Sequence, residues 1–201
     1  MPELAPLMAG AAPSGIRELA DAAAALDGVI RLDLGQPDFP TPPHIVEAAK
    51  RALDEGWHGY TQTPGLPSLR EGIAGKIARV NGYRVGSDSV ATAPGGVGVI
   101  AAAFAAVLDA GDEVLLPDPA WPNYALMAAW TQSRVVRYPC PPSLGFLPDL
   151  ERLASLFTPR TRLLVLNNPN NPTGAVYPES VVSAMLGLAR QHDAWLLSDE
   201  C

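Results

Sequence analysis

The chain has 201 residues, 48% of them hydrophobic and 17% charged, with a formal net charge of -7. That balance marks a globular chain rather than a disordered one, and the negative sign gives no electrostatic footprint for nucleic acid or anionic lipid. Two cysteines, Cys140 and Cys201, are too few for a disulfide framework, which fits a reducing cytoplasm.

The opening MPELAPLMAG has no basic stretch and carries Glu3, so it makes a poor signal peptide. Residues 1–15, rich in Ala, Pro and Gly, predict a loose arm. Helical spacing follows over 16–26, then a short strand over 29–34. Residues 35–40 (GQPDFP) predict a turn in which Gly35 lets backbone approach a ligand closely. Thr41 predicts a helix cap, Pro42 the first helical position, and Ile45, Val46, Ala49, Ala52 and Leu53 the apolar face. A loop over 57–67 holds Tyr60. The helix predicted over 68–80 is closed by Asn81 and Gly82.

From residue 90 the chain alternates. Strands are predicted over 90–93, 113–116, 134–138, 161–166 and 194–198, and helices over 97–108, 122–130, 149–157 and 179–192. The helix over 97–108 is apolar all round and predicts burial; it is too short to span a bilayer. Repeated βα units with short connections predict an α/β fold, a mostly parallel sheet with helices on both faces. The last strand runs almost to Cys201. A strand buried in a sheet needs neighbours, so a fragment of a longer protein is expected.

In a parallel sheet the carboxyl ends of the strands share one edge, where ligands of open α/β sheets sit. That edge would gather Gly95 and Gly96 at a helix N-terminus, Trp121, Asn171 and Asp199. Free N–H groups and the helix dipole favour a phosphate at the glycines, although the pair also suits a tight turn. Trp121 equally suits a core position, Asn171 equally satisfies its own loop, and Asp199 equally suits solvent or a cap. Taken together, the four match a phosphate, a flat ring, a ring hydroxyl and a protonated ring nitrogen. Pyridoxal phosphate has all four, and its ring nitrogen needs a carboxylate partner to act as an electron sink.

Five stretches carry a family resemblance: LDLGQPDFPTP at 32–42, GYTQTPGLPSLRE at 59–71, GGVG with LDAGDEVLLPDPAWPNY at 95–124, NNPNNPTGAVYP at 167–178, and LLSDE at 196–200. In order and spacing they resemble the N-terminal portion of class I/II, pyridoxal-phosphate-dependent aminotransferases of fold type I. The resemblance implies a homodimeric cytoplasmic enzyme of amino acid metabolism, moving an amino group from an amino acid to a 2-oxo acid. It implies that residues 1–40 are an arm and a small-domain segment, and that 41–201 begin the cofactor-binding large domain. It implies backbone contacts from Gly95, Gly96 and Val97 to the cofactor phosphate and stacking of Trp121 on the ring. Asn171 would donate to the ring oxygen and Asp199 would pair with the ring nitrogen. Tyr60 would reach the phosphate of a neighbouring subunit, and Gly35 would lie beside the substrate carboxylate. No metal is implied.

Three departures accompany it. Val97 and Gly98 stand where the family usually has Ser, Thr or another polar residue, so side-chain help for the phosphate is expected to be missing. A tyrosine that follows the SDE motif in the family is not matched. The lysine that bonds the cofactor is not matched either, because Lys50 and Lys76 lie on early helices and read as surface positions. Competing readings are a lyase or synthase of the same fold, an inert truncated product, and a dinucleotide-binding oxidoreductase. The last rests on Gly96-Val97-Gly98-Val99-Ile100-Ala101, which fits G-x-G-x-x-A, with Asp118 about twenty residues on.

Overall fold

The computed structural model describes residues 15–32, 35 and 37–201. They divide into two compact units, one within 12–93 and one over 94–201. The predicted arm over 1–15 lies outside the described residues except at its last position, as do Asp33, Leu34 and Gln36 of the predicted strand and turn.

The first unit is helical. Helix α1 spans Gly15–Ala24, α2 Pro43–Asp54 and α3 Pro67–Lys76. A π-helical turn, Ile77–Asn81, extends α3 and ends at Gly82 with φ 80°. Helix α2 starts one residue later than expected. Pro42 has ψ 136°, outside the helical range, because the following Pro43 disfavours helical backbone before it. Among the described residues, neither stretch predicted as a strand in this unit forms one. Residues 29–32 make no ladder, and Ile30 and Leu32 are 85% and 91% exposed. Val90 is extended, but the stretch 90–93 pairs with no strand. The Arg70 Nε–H donates to the Val90 carbonyl at 2.8 Å, and the Thr92 N–H donates to the Pro64 carbonyl at 3.0 Å. These segments have strand composition, but among the described residues they join no β-ladder.

The second unit is the predicted α/β layer. Helix α4 spans Gly95–Val107, followed by β1 (Glu113–Asp118), α5 (Asn123–Trp130), β2 (Arg134–Pro139), α6 (Leu150–Ser155), β3 (Thr161–Asn167), α7 (Glu179–Gln191) and β4 (Trp195–Asp199). The four strands are all parallel, in the order β2-β1-β3-β4. Successive side chains in a strand point to opposite faces. Val114, Leu116, Leu163 and Val165 therefore pack on one face with Ile100 and Phe104 of α4 and Tyr124, Met127 and Ala128 of α5. Leu115, Leu164 and Leu166 pack on the other with Leu153 of α6 and Met185 and Ala189 of α7. Both faces are covered, which is why these strands read as unbroken apolar runs. Helix α4 departs from the expectation of burial. Ile100 and Phe104 are buried, but Val97 and Val99 are 46% and 43% exposed, because only one stripe of the helix meets the sheet.

The strand order places a crevice. From β1 the chain moves outward to β2, then returns past β1 to β3 on its other side. The connections leave β1 and β3 toward opposite faces, α5 joining one cluster and α7 the other. Such a reversal opens a gap beyond the carboxyl ends of the two strands.

Candidate functional site

A cavity of ≈ 310 Å³ occupies that gap, lined by Gly96, Val97, Ile100, Trp121, Tyr124, Asn167, Pro169, Asn171, Asp199 and Cys201. Its size is near the lower end of small-molecule sites, about 300–1,000 Å³. Five of the residues singled out in the sequence meet here: Gly96, Val97, Trp121, Asn171 and Asp199.

Each is delivered by a local feature of the chain. Gly95 has φ +73°, a backbone that side chains rarely adopt, and it turns the chain from Pro94 into α4. A Cβ at Gly95 or Gly96 would meet nothing within 4 Å, so the first turn of α4 opens onto free space. Trp121, just ahead of α5, is half-buried. Its ring meets that of Tyr124 edge to face, centroids 5.2 Å apart at 85°.

The asparagine-rich loop after β3 separates its own four carboxamides by use. Asn167 Oδ1 accepts from the Asn171 N–H at 2.6 Å, and Asn167 Nδ2 donates to the Asp199 carbonyl at 3.3 Å. Asn168 Oδ1 accepts from the Tyr177 N–H at 2.8 Å. Asn170 Oδ1 accepts from the Thr173 hydroxyl at 2.9 Å. Three carboxamides thus build the loop. The Asn171 side chain makes no hydrogen bond among the described residues and borders the cavity, so its donors face a ligand position. The sequence alone left this choice open, since an asparagine in a turn commonly satisfies its own backbone.

Asp199 is held from several sides. Its Oδ2 accepts a short hydrogen bond from the Tyr124 hydroxyl, and its Oδ1 accepts from the Cys201 N–H at 3.2 Å. Its carbonyl accepts from the Asn168 N–H at 3.0 Å. Tyr124 is fully buried. Burial, reinforced by the hydrogen bond to Asp199 and that carboxylate's charge, raises the phenol's pKa far above its usual value, so it remains a donor.

The G-x-G-x-x-A match does not form a dinucleotide fingerprint. Gly96 is already inside α4, and among the described residues no strand leads into the helix, whereas that motif needs a strand leading into the turn. Among the described residues no helix is long and apolar enough to cross a membrane, and no cluster of His, Cys, Asp and Glu could hold a metal ion.

The family model described as aminotransferase class I and II matches residues 27–201. The chain belongs to that family. Among curated aminotransferases, an aspartate/prephenate aminotransferase of Thermus thermophilus is 45% identical over 172 residues, covering 86% of this chain and 45% of the relative. An aspartate aminotransferase of Pyrococcus horikoshii is 40% identical over 187 residues, covering 93% of this chain and 48% of the relative. The solved structure of the Thermus thermophilus aspartate aminotransferase with maleate superposes with a TM-score of 0.94 at 42% identity, covering 100% of this chain and 53% of that one. The chain spans about half the length of the curated aminotransferases it matches.

Gly35 and Tyr60 belong to the 12–93 unit. Both are exposed, Tyr60 completely so. Lys50 and Lys76 lie in the same unit and are exposed, as expected; Lys50 pairs with Glu47 at 2.7 Å, and Lys76 donates to Asn81 Oδ1 at 2.9 Å. Sequence reading passed over Tyr124 and Asn167. Tyr124 stands three residues after Trp121, in the first turn of α5, and its ring meets the indole edge to face. Asn167 is a polar residue closing an apolar strand, and that position was its only signal.

Proposed function

We propose that this chain is the first part of an aminotransferase that moves an amino group from an amino acid to a 2-oxo acid with pyridoxal phosphate. The observation that carries the reading is the gathering of Gly96, Val97, Trp121, Asn171 and Asp199 around one cavity. The donor set fits the cofactor. Backbone N–H groups at Gly95, Gly96 and Val97, at a helix N-terminus with open space above it, suit a phosphate. Trp121 offers an indole face to an aromatic ring, and the unengaged Asn171 carboxamide suits a ring oxygen. Asp199 is a carboxylate placed to hold a proton on a ring nitrogen. When bound, the cofactor supplies an electron sink for bonds at the substrate's α-carbon. The protein's own part is to grip the phosphate, stack the ring, orient the ring oxygen and keep the ring nitrogen charged.

The same reading makes the molecule a cytoplasmic homodimer, in which the exposed Tyr60 reaches the partner's phosphate and Gly35 borders the substrate carboxylate. The two thiols, both free, are consistent with a reducing compartment. Titrating pyridoxal phosphate into the protein while following tryptophan fluorescence tests the cofactor assignment. Saturable quenching that weakens in Asp199→Ala is expected; no binding at millimolar cofactor would overturn it.

A further inference from the structure

We propose that Tyr124 is the positioning residue of Asp199: its phenol fixes one carboxylate oxygen so that the carboxylate faces a protonated ring nitrogen in a set orientation. This rests on the reading of the cavity as a pyridoxal-phosphate site.

The two residues are 75 positions apart, yet Tyr124 Oη and Asp199 Oδ2 are in hydrogen-bond contact at the cavity wall. A fully buried phenol needs a partner for its O–H, and Asp199 is the one it finds. The edge-to-face contact with Trp121 fixes the ring that carries the hydroxyl. The other hydrogen bonds to Asp199 come from the Cys201 N–H on Oδ1 and, on its main-chain carbonyl, from Asn168 and Asn167. All these donors are neutral, and no cationic side chain is hydrogen-bonded to Asp199 among the described residues. That choice has a consequence. A lysine or arginine at the position of the phenol would cancel the carboxylate's charge and compete with a cationic ring nitrogen. A neutral phenol orients the group and leaves its charge available. Tyr124 also ties the ring-stacking residue to the ring-nitrogen partner, because Trp121 and Asp199 both contact it.

The test compares two ligands, pyridoxal phosphate and its deaza analogue, in which the ring nitrogen is replaced by C–H. Dissociation constants for both are measured by tryptophan quenching in the unaltered protein and in Tyr124→Phe. The unaltered protein is expected to prefer pyridoxal phosphate. Tyr124→Phe is expected to lower that preference about tenfold while changing the analogue's affinity by less than about threefold. Tyr124→His, which restores an N–H donor, is expected to recover part of it. If Tyr124→Phe loses its native circular dichroism, Tyr124→Met, a flexible residue without a donor, takes its place. Equal weakening of both ligands would reduce Tyr124 to a packing role and overturn the proposal. Equal binding of both ligands by the unaltered protein would show that Asp199 does not engage the nitrogen, which also overturns it. Binding of neither ligand would instead refute the cofactor reading, a different and recognisable failure.

Discussion

Asn167 and Asp199 are register partners across the parallel β3–β4 pair, and the Asn167 carboxamide links the two halves of the cavity wall. Its Nδ2 donates to the Asp199 carbonyl, while its Oδ1 receives the Asn171 N–H. One buried side chain therefore sets both the position of the carboxylate and the place where the asparagine loop turns. Asn167→Ala removes both bonds and leaves the Asn171 N–H without its acceptor. A loss of about 1–3 kcal/mol is expected in urea unfolding, together with weaker cofactor binding.

Asn171→Ala should separate those two effects. The Asn171 side chain bonds to nothing in the described protein, and its backbone N–H survives the substitution. The unfolding free energy from urea titration is expected to stay within about 0.5 kcal/mol of the unaltered protein. Affinity for pyridoxal phosphate is expected to fall about five- to tenfold, the size of one lost hydrogen bond. Equal loss of stability in both variants would mean that Asn171 also serves the loop.

At the opposite edge of the sheet, Glu113 is fully buried. It accepts from Arg134 Nη2 at 2.5 Å, Thr158 Oγ1 at 2.7 Å and Arg160 Nη2 at 3.3 Å. Burial by itself raises its pKa, but the hydrogen bonds from Arg134, Thr158 and Arg160 and the charge of Arg134 outweigh it and leave the carboxyl below its usual 4.5. The folded state therefore binds this proton less readily than the unfolded state. The carboxylate's contribution is complete above pH 4.5 and is lost as pH falls through the lowered value. Glu113→Gln is expected to cost about 1–3 kcal/mol at pH 7. The difference from the unaltered protein should shrink as urea midpoints are taken at lower pH through that range.

Much of this was legible in sequence because the second unit obeys local rules. Leu163 to Leu166 are apolar on both faces of a strand, and the asparagines and prolines that follow Asn167 turn the chain out of the sheet. The carboxyl-edge residues followed from that alternation. What stayed hidden depends on partners distant along the chain. Val90 has strand character, but it forms a strand only where another backbone is available, and Arg70 and Pro64 take up its neighbourhood instead. Nothing in the sequence marks Tyr124, because its partner Asp199 lies 75 positions away and only the fold brings that carboxylate to its hydroxyl. Likewise, the four asparagines of the loop are equivalent as letters, and only the folded loop distinguishes Asn171 from the three that hold it.

The exposed lysines give a negative prediction. Lys50 and Lys76 sit on or near the surface with Glu47 and Asn81 as partners. Borohydride reduction in the presence of pyridoxal phosphate, followed by peptide mass analysis, is expected to leave neither residue specifically labelled. Stoichiometric labelling of either would reassign the covalent chemistry to the first unit.

Val97 gives the opposite kind of prediction, a gain. It lines the cavity in the first turn of α4, where N–H groups are free and the helix dipole is positive, yet its side chain donates nothing. At 46% exposure it contributes little packing, so polar replacement should leave the fold intact. Val97→Ser adds a hydroxyl beside those N–H groups, in a space that a phosphate would fill. Affinity for pyridoxal phosphate is expected to rise about three- to tenfold. Affinity for pyridoxal, which lacks the phosphate, should stay unchanged. A parallel gain for both ligands would place the hydroxyl's effect on the ring, and with it the phosphate somewhere other than the start of α4.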